Sequence, residues 1–345
     1  MNFVDVSGVG NAGKTALTDL LRELDDFYVP EYWFEFDMLR VPGGLLDFRH
    51  CLLEDWSPIR SNAAYYQFID VIEKMGLDPN PWDMLGLINS TGQRYDRRFD
   101  GQFRSLSREF ADQFRVGSYQ TEWPYDGLRE NGIKRLAKRL IRRLGVRRSL
   151  FNDVLLLNGY DFDNRAKVYL ENLYRLFISP TCDHVVLHNG FEPFNPEPGL
   201  RMLGARQIAV TRDPRDIYVS GLNMHNIAEE DKHSLAFDND GLSKSFLATD
   251  DLDAFVKRYK LYREQLFSGS NNKILHISFE ELILNYATQT KKIFAFLDID
   301  SERHQRANTK FIPSESKKNI GIWKNYSRKN EINFIESHLN EYLFK

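Results

Sequence analysis

The chain has only two cysteines in 345 residues, Cys51 and Cys182. They show no CxxC spacing and no neighbouring cluster of Cys or His, so neither a zinc site nor a disulfide framework is expected. Both read as free thiols in a reducing compartment. The sequence also has no run of about 18 uninterrupted apolar residues, which removes the usual signature of a membrane-spanning helix. Its first residues, Met1-Asn2-Phe3-Val4-Asp5-Val6, show no basic stretch ahead of an apolar one, as a secretory leader would. The expectation is a cytoplasmic soluble protein. Nor does one sign of charge prevail: 46 Lys and Arg face 49 Asp and Glu, a formal net charge of −3. That balance argues against a dedicated nucleic-acid binder. No internal repeat or low-complexity tract appears.

What remains is an ordinary globular composition, with 28% charged, 42% hydrophobic and 13% aromatic residues. The length allows two domains or one large α/β unit. Short apolar runs at Phe3–Val6, Val185–His188, Gln207–Thr211 and Ile274–Ile277 have the look of strands buried on both faces of a parallel sheet. Helical periodicity follows or separates them. Leu17, Leu20, Leu21 and Leu24 share one face, as do Leu252, Phe255, Val256, Tyr259, Tyr262 and Leu266. Ser278 to Glu281 fits a capping box, and a last amphipathic helix is predicted from Glu331 to Leu343. Between about 32 and 176 there is no clean alternation but several helix-like stretches, at 56–74, 129–144 and 164–177. The fold class is thus α/β, a three-layer P-loop-like parallel sheet flanked by helices. Residues 1–345 read as one domain, with a long helical insertion at 32–176 that could cap an acceptor site.

Directly behind the first strand lies Ser7-Gly8-Val9-Gly10-Asn11-Ala12-Gly13-Lys14-Thr15. Gly8-x-x-x-x-Gly13-Lys14-Thr15 satisfies the P-loop pattern, in which glycines let backbone N–H groups curl around a phosphate at a helix N-terminus. A kinase would need a metal-holding acid at the end of another strand. Asp183 precedes its strand, at the wrong end. Asp213 stands directly before Pro214 and reads as an N-cap with Pro at the first helical position. No metal is expected.

A second anion site is suggested by Arg212, which emerges at a strand end, and by Ser220 two turns along the following helix. Near the C-terminus, Ser316-Lys317-Lys318-Asn319-Ile320-Gly321-Ile322-Trp323-Lys324-Asn325 combines cations, a glycine and an aromatic. Together these segments resemble the sulfotransferase superfamily, whose members use 3′-phosphoadenosine 5′-phosphosulfate (PAPS) as donor. The resemblance covers roughly the first 25 residues and about 184 to the end. It includes Ile277-Ser278-Phe279-Glu280-Glu281-Leu282, similar to the family's aromatic-Glu-acidic-Leu stretch. It implies that Gly10, Asn11, Ala12, Gly13, Lys14 and Thr15 hold the 5′-phosphosulfate. Arg212 and Ser220, with the family's eight-residue spacing, would hold the 3′-phosphate with Lys317 or Lys318 and Gly321. Two positions depart from the pattern: Asn11 stands where a Lys or Arg is usual, and Ser316, Lys317 and Lys318 stand where Arg, Lys and Gly would be.

His188, at a strand end, occupies about the place of the family's catalytic base, with Lys14 as the catalytic cation. Glu35 and Asp37 are carboxylate alternatives. They lie in Glu31–Arg40, a mixture of aromatics and acids that could suit a sugar but reads rather more as a core strand with solvated edges. The expected activity is sulfuryl transfer from PAPS to a hydroxyl of a carbohydrate or related metabolite. A P-loop kinase using ATP and Mg²⁺ is the alternative, and a non-catalytic nucleotide-binding module the third reading. Residues 129–148 carry nine Lys or Arg against one acid, with an apolar stripe of Ile133, Leu136, Ala137, Leu140, Ile141 and Leu144. Near-neutrality is therefore a cancellation, and this helix would suit a membrane surface or an anionic substrate.

Overall fold

The structure, a computed structural model, describes residues 1–31, 34–78, 94–121, 132–143, 152–191, 193–230, 246–247, 249–268 and 272–345. The chain starts with β1 (Asn2–Ser7), α1 (Lys14–Arg22) and β2 (Phe27–Tyr28). Next come α2 (Leu45–Leu53), α3 (Pro58–Gly76), α4 (Phe103–Asp112), β3 (Arg115–Thr121), α5 (Gly132–Arg143), β4 (Asn152–Leu157) and α6 (Phe162–Arg175). It continues through β5 (His184–His188), α7 (Glu197–Leu203), β6 (Arg206–Thr211), α8 (Pro214–Glu230), α9 (Leu252–Ser268) and β7 (Ile274–Ser278). The last helices are α10 (Phe279–Leu284), α11 (Tyr286–Leu297) and α12 (Lys329–His338). Two compact units result: Met1–Leu39 with Ile178–Lys345, and Arg40–Phe177.

The first unit is built on a parallel sheet in the order β2-β5-β1-β6-β7. Side chains alternate between its faces, and helices cover both. Val4, Val6, Ile208 and Val210 pack on one face with Leu17, Leu20 and Leu21 of α1 and Ile293 and Phe294 of α11. Ala209 belongs to the other face, in a cluster with Ile217 of α8, Phe255, Tyr259 and Tyr262 of α9, and Ile332 and Ile335 of α12. This is the three-layer arrangement expected from the sequence. Asp5 is a fully buried acid within β1. Its buried carboxylate accepts hydrogen bonds from Gly190 N at 2.8 Å and Gln207 Nε2 at 2.9 Å, so it ties the turn after β5 and the start of β6 to the central strand.

The crossover from β1 leads to β2 on one side, and that from β6 leads to β7 on the other. The carboxyl ends of β1 and β6 therefore flank the point where winding reverses, the place where open α/β sheets bind ligands. The pairing Val6↔His188 and Ser7↔Ala209 brings the ends of β5, β1 and β6 close to level.

In the second unit α2, α3, α4 and α6 surround an aromatic core. Phe48 stacks on Phe68 at 5.2 Å, Phe110 on Tyr169 at 4.7 Å and Phe114 on Phe162 at 4.8 Å. Arg49 holds Asp163 through two hydrogen bonds of 2.7 and 2.9 Å. The segment read as a long helical insertion also contains an antiparallel ribbon, β3 with β4, which the sequence reading did not anticipate. The sequence Arg115-Val116-Gly117-Ser118-Tyr119-Gln120-Thr121 is exposed almost throughout, and a strand with no buried face has no reason to alternate. Of the basic stretch 129–148, residues 129–131 and 144–148 lie outside the described residues, as do Tyr32 and Trp33.

Candidate functional site

The turn between β1 and α1 is shaped by a left-handed residue at each end of Asn11-Ala12-Gly13. Asn11 has φ 65° and Gly13 has φ 91°. A Cβ at Gly13 would lie 2.3 Å from the Phe279 ring, so glycine is required by both backbone and space. Beyond the turn begins α1, and the first turn of a helix is the usual seat for a phosphate. Lys14 folds its side chain back over the turn, donating from Nζ to the Gly8 carbonyl at 2.8 Å.

From the β6 side comes Arg212, 6% exposed. Its Nη1 donates to Asn11 O at 2.9 Å, its Nη2 to Asn319 O, and its guanidinium stacks on Phe279 at 4.9 Å. One cation thus joins the phosphate turn to the C-terminal loop. Burial pushes this guanidinium below its ordinary value, against the pull of Asp216, Glu280 and Asp213. Its Nε is buried with no partner among the described residues. Such a desolvated, partly satisfied cation suits an anionic ligand.

Acids behind Arg212 are taken up by structure. Asp213 Oδ1 accepts from Arg215 N at 2.9 Å, the N-cap expected of an Asp before Pro214. Its carboxylate also holds the Arg215 side chain at 3.0 and 2.6 Å and accepts Phe344 N at 3.1 Å. Asp216 accepts Gly321 N at 2.7 Å and Trp323 N at 3.2 Å, which fixes the C-terminal loop. Burial raises its carboxyl above the ordinary value, and those two donors oppose the shift. Ser278 Oγ caps α10 through Glu281 N, as the capping box requires, but its hydroxyl donates to Glu280 rather than Glu281 reaching back.

From the β5 side comes His188, 8% exposed. The next residue, Asn189, has φ 51°, a conformation that asparagine tolerates better than most. Its Oδ1 accepts from Gly8 N at 3.2 Å and its Nδ2 donates to Glu35 Oε1 at 2.9 Å, so it couples the phosphate turn to a carboxylate.

These side chains meet in one cleft of about 450 Å³. Of the residues expected in a site, Asn11, Ala12, Gly13, Lys14, Thr15, Glu35, His188, Arg212 and Ser220 line it. Gly10, Asp37, Lys317, Lys318 and Gly321 are not among its lining. Lys317 and Lys318 are exposed, and the wall from their turn is made by Ser316 and Asn319. Gly321, with φ 73°, serves the turn that Asp216 holds. The cleft also takes in Asp19, Phe279 and Ile322, which sequence reasoning did not single out as site residues. Phe279 was within the segment quoted for the resemblance, and that was the one signal available for it.

Residues 197–341, which include Arg212, Ser220 and the C-terminal loop, match the family model described as a sulfotransferase domain. The match starts beyond the turn after β1, whose residues share the cleft with Arg212 and Ser220. No curated protein matches the sequence. Among solved structures, the chain is similar to the sulfotransferase domain from the curacin biosynthetic pathway, at 12% identity over 98% of this chain and 97% of that one, with a TM-score of 0.41. It is similar to sulfotransferase STF9 from Mycobacterium avium, at 13% identity over 99% and 77%, with a TM-score of 0.40. A third is retinol dehydratase in complex with androsterone and the inactive cofactor PAP, at 12% over 98% and 80%, with a TM-score of 0.37.

The crowding at Gly13 makes a direct prediction for the turn. Gly13→Ala should lower stability by about 1–3 kcal/mol, since it combines a left-handed backbone with a clash against Phe279. Urea unfolding measures it, and an unchanged midpoint would mean the turn relaxes at no cost.

Proposed function

We propose that this enzyme transfers a sulfuryl group from PAPS to a hydroxyl of a carbohydrate or related metabolite. The observation that carries the reading is the convergence of Lys14 from the β1 end, Arg212 from the β6 end and His188 from the β5 end on one cleft. Two features fit the donor: the Nε of Arg212, buried and without a partner among the described residues, and a turn at Gly13 where a Cβ would crowd the Phe279 ring. The N–H groups of Asn11 to Thr15 and the Lys14 ammonium would hold the 5′-phosphosulfate. Arg212 and Ser220 would hold the 3′-phosphate, walled by Ser316 and Asn319. Lys317 and Lys318 add positive potential on the exposed turn beside them.

Bound PAPS supplies an activated sulfuryl group on a phosphate leaving group. Lys14 and the turn amides stabilise the negative charge that grows on that phosphate. His188 accepts the proton of the acceptor hydroxyl. Glu35, held by Asn189, orients the acceptor through a hydrogen bond, a use of carboxylate that suits a sugar hydroxyl. Asp213, the acid nearest to a metal arm by sequence, is occupied by Arg215 and Phe344.

The test is transfer of ³⁵S from labelled PAPS in EDTA, with a panel of glycans and other hydroxyl compounds as acceptors. Label should appear on a carbohydrate hydroxyl. No transfer to any acceptor, or phosphoryl transfer from ATP that requires Mg²⁺, would overturn the reading. Transfer confined to non-carbohydrate acceptors would overturn its acceptor half alone.

A further inference from the structure

The strongest feature outside the cleft is α5. Its sequence, Gly132-Ile133-Lys134-Arg135-Leu136-Ala137-Lys138-Arg139-Leu140-Ile141-Arg142-Arg143, contains six cations and no acid. At 100° per residue, Ile133, Leu136, Ala137, Leu140 and Ile141 fall within an arc of about 140°, and all six cations fall on the remainder. In a helix that packs on a core, such an apolar arc is buried. Here it faces solvent: Ile133 is 80% exposed, Leu136 59% and Leu140 52%.

We propose that α5 docks the protein on an anionic lipid surface. An exposed apolar arc bordered by cations has two complements at once in such a surface, acyl chains for the leucines and headgroup phosphates for the Lys and Arg. A soluble polyanion would engage the cations and leave Ile133, Leu136 and Leu140 in water. An acidic protein surface would do the same unless it carried its own matching apolar groove. The helix is 12 residues long, about 18 Å, too short for a hydrocarbon core of about 30 Å. Among the described residues no helix is long and apolar enough to cross a membrane. The helix therefore lies in the plane of the interface, with its apolar arc turned into the lipid. Long Lys and Arg stems at the borders of the arc can reach up to the headgroups.

The experiment is co-sedimentation of the full chain with phosphatidylcholine vesicles, and with vesicles in which about a third of the lipid is phosphatidylglycerol. Binding should be at least tenfold tighter to the anionic vesicles and should weaken as salt rises. Leu136→Ser with Leu140→Ser keeps every charge and should weaken that binding tenfold or more. Arg139→Glu with Arg143→Glu should abolish the preference for anionic lipid. Both pairs lie on an exposed surface, so melting temperature and far-UV dichroism should stay as in the parent, which separates loss of docking from loss of fold. The proposal is overturned by no vesicle binding, or by equal binding to the two vesicle types. It is overturned equally if the double serine variant binds like the parent while heparin competes, which would assign the surface to a polyanion. A parent dimer that the serine pair dissociates would assign it to a second copy of the chain.

Discussion

Replacing Arg212 with Met should weaken adenosine 3′,5′-bisphosphate binding by about 100-fold or more while leaving the melting temperature within a few degrees of the parent. Removing one side of a buried, charge-assisted contact costs about 2–5 kcal/mol of binding, since the anion keeps its desolvation penalty and loses its partner. Stability should respond differently. The Arg212 guanidinium is buried by the protein itself, where it has two carbonyl acceptors, a ring face and one nitrogen without a partner among the described residues. Exchanging such a buried charge for an apolar side chain of similar volume is often neutral or stabilising. Asn11 O and Asn319 O lose a donor, but they border an open cleft where water can replace it. Titration calorimetry in EDTA, beside a thermal melt, reads both quantities. An affinity loss below about threefold would remove Arg212 from the phosphate site. A large fall in melting temperature with an equal, nonspecific loss of binding would make it a structural clamp.

The contrast between what the sequence discloses and what it hides follows the range of the interactions involved. The strands β1, β5, β6 and β7 are legible because both faces of each are covered, so a local apolar run is itself the signal. The phosphate turn and the Asp213-Pro214 cap are legible because each completes its hydrogen bonding within a few residues. The ribbon β3–β4 is hidden because β3 buries neither face, and β2 is hidden because it is only two residues long. The polar supports of the cleft are hidden for another reason. Asn189 reaches Gly8 and Glu35 across about 150 residues or more of chain, and Asp216 reaches Gly321 across about a hundred. No local pattern encodes a carboxylate whose donors are supplied by a distant loop. The same holds for Glu23, whose buried carboxylate accepts the amides of Thr309, Lys310 and Phe311 at 2.9, 2.9 and 3.0 Å. The resemblance pointed to the C-terminal loop, and folding placed Ser316 and Asn319, rather than the lysines between them, on the cleft wall.

Replacing His188 with Ala should lower kcat by about 100- to 10,000-fold, the range that a positioned general base supplies, while bisphosphate affinity changes by less than about twofold. The separation is expected because His188 enters the cleft from β5, whereas the phosphate turn and Arg212 come from β1 and β6. Glu35 is the control that gives this outcome meaning. Glu35→Gln retains an oxygen that Asn189 Nδ2 can still reach, so the turn should hold and the main effect should be a higher KM for the acceptor, with kcat within about threefold. If instead Glu35→Gln removes most of kcat and His188→Ala does not, the carboxylate is the base and His188 a residue of the cleft wall. His188→Gln separates the remaining case, because it can hydrogen-bond but cannot take up a proton at neutral pH. Recovery of rate in that variant would mean that His188 positions the acceptor rather than deprotonating it.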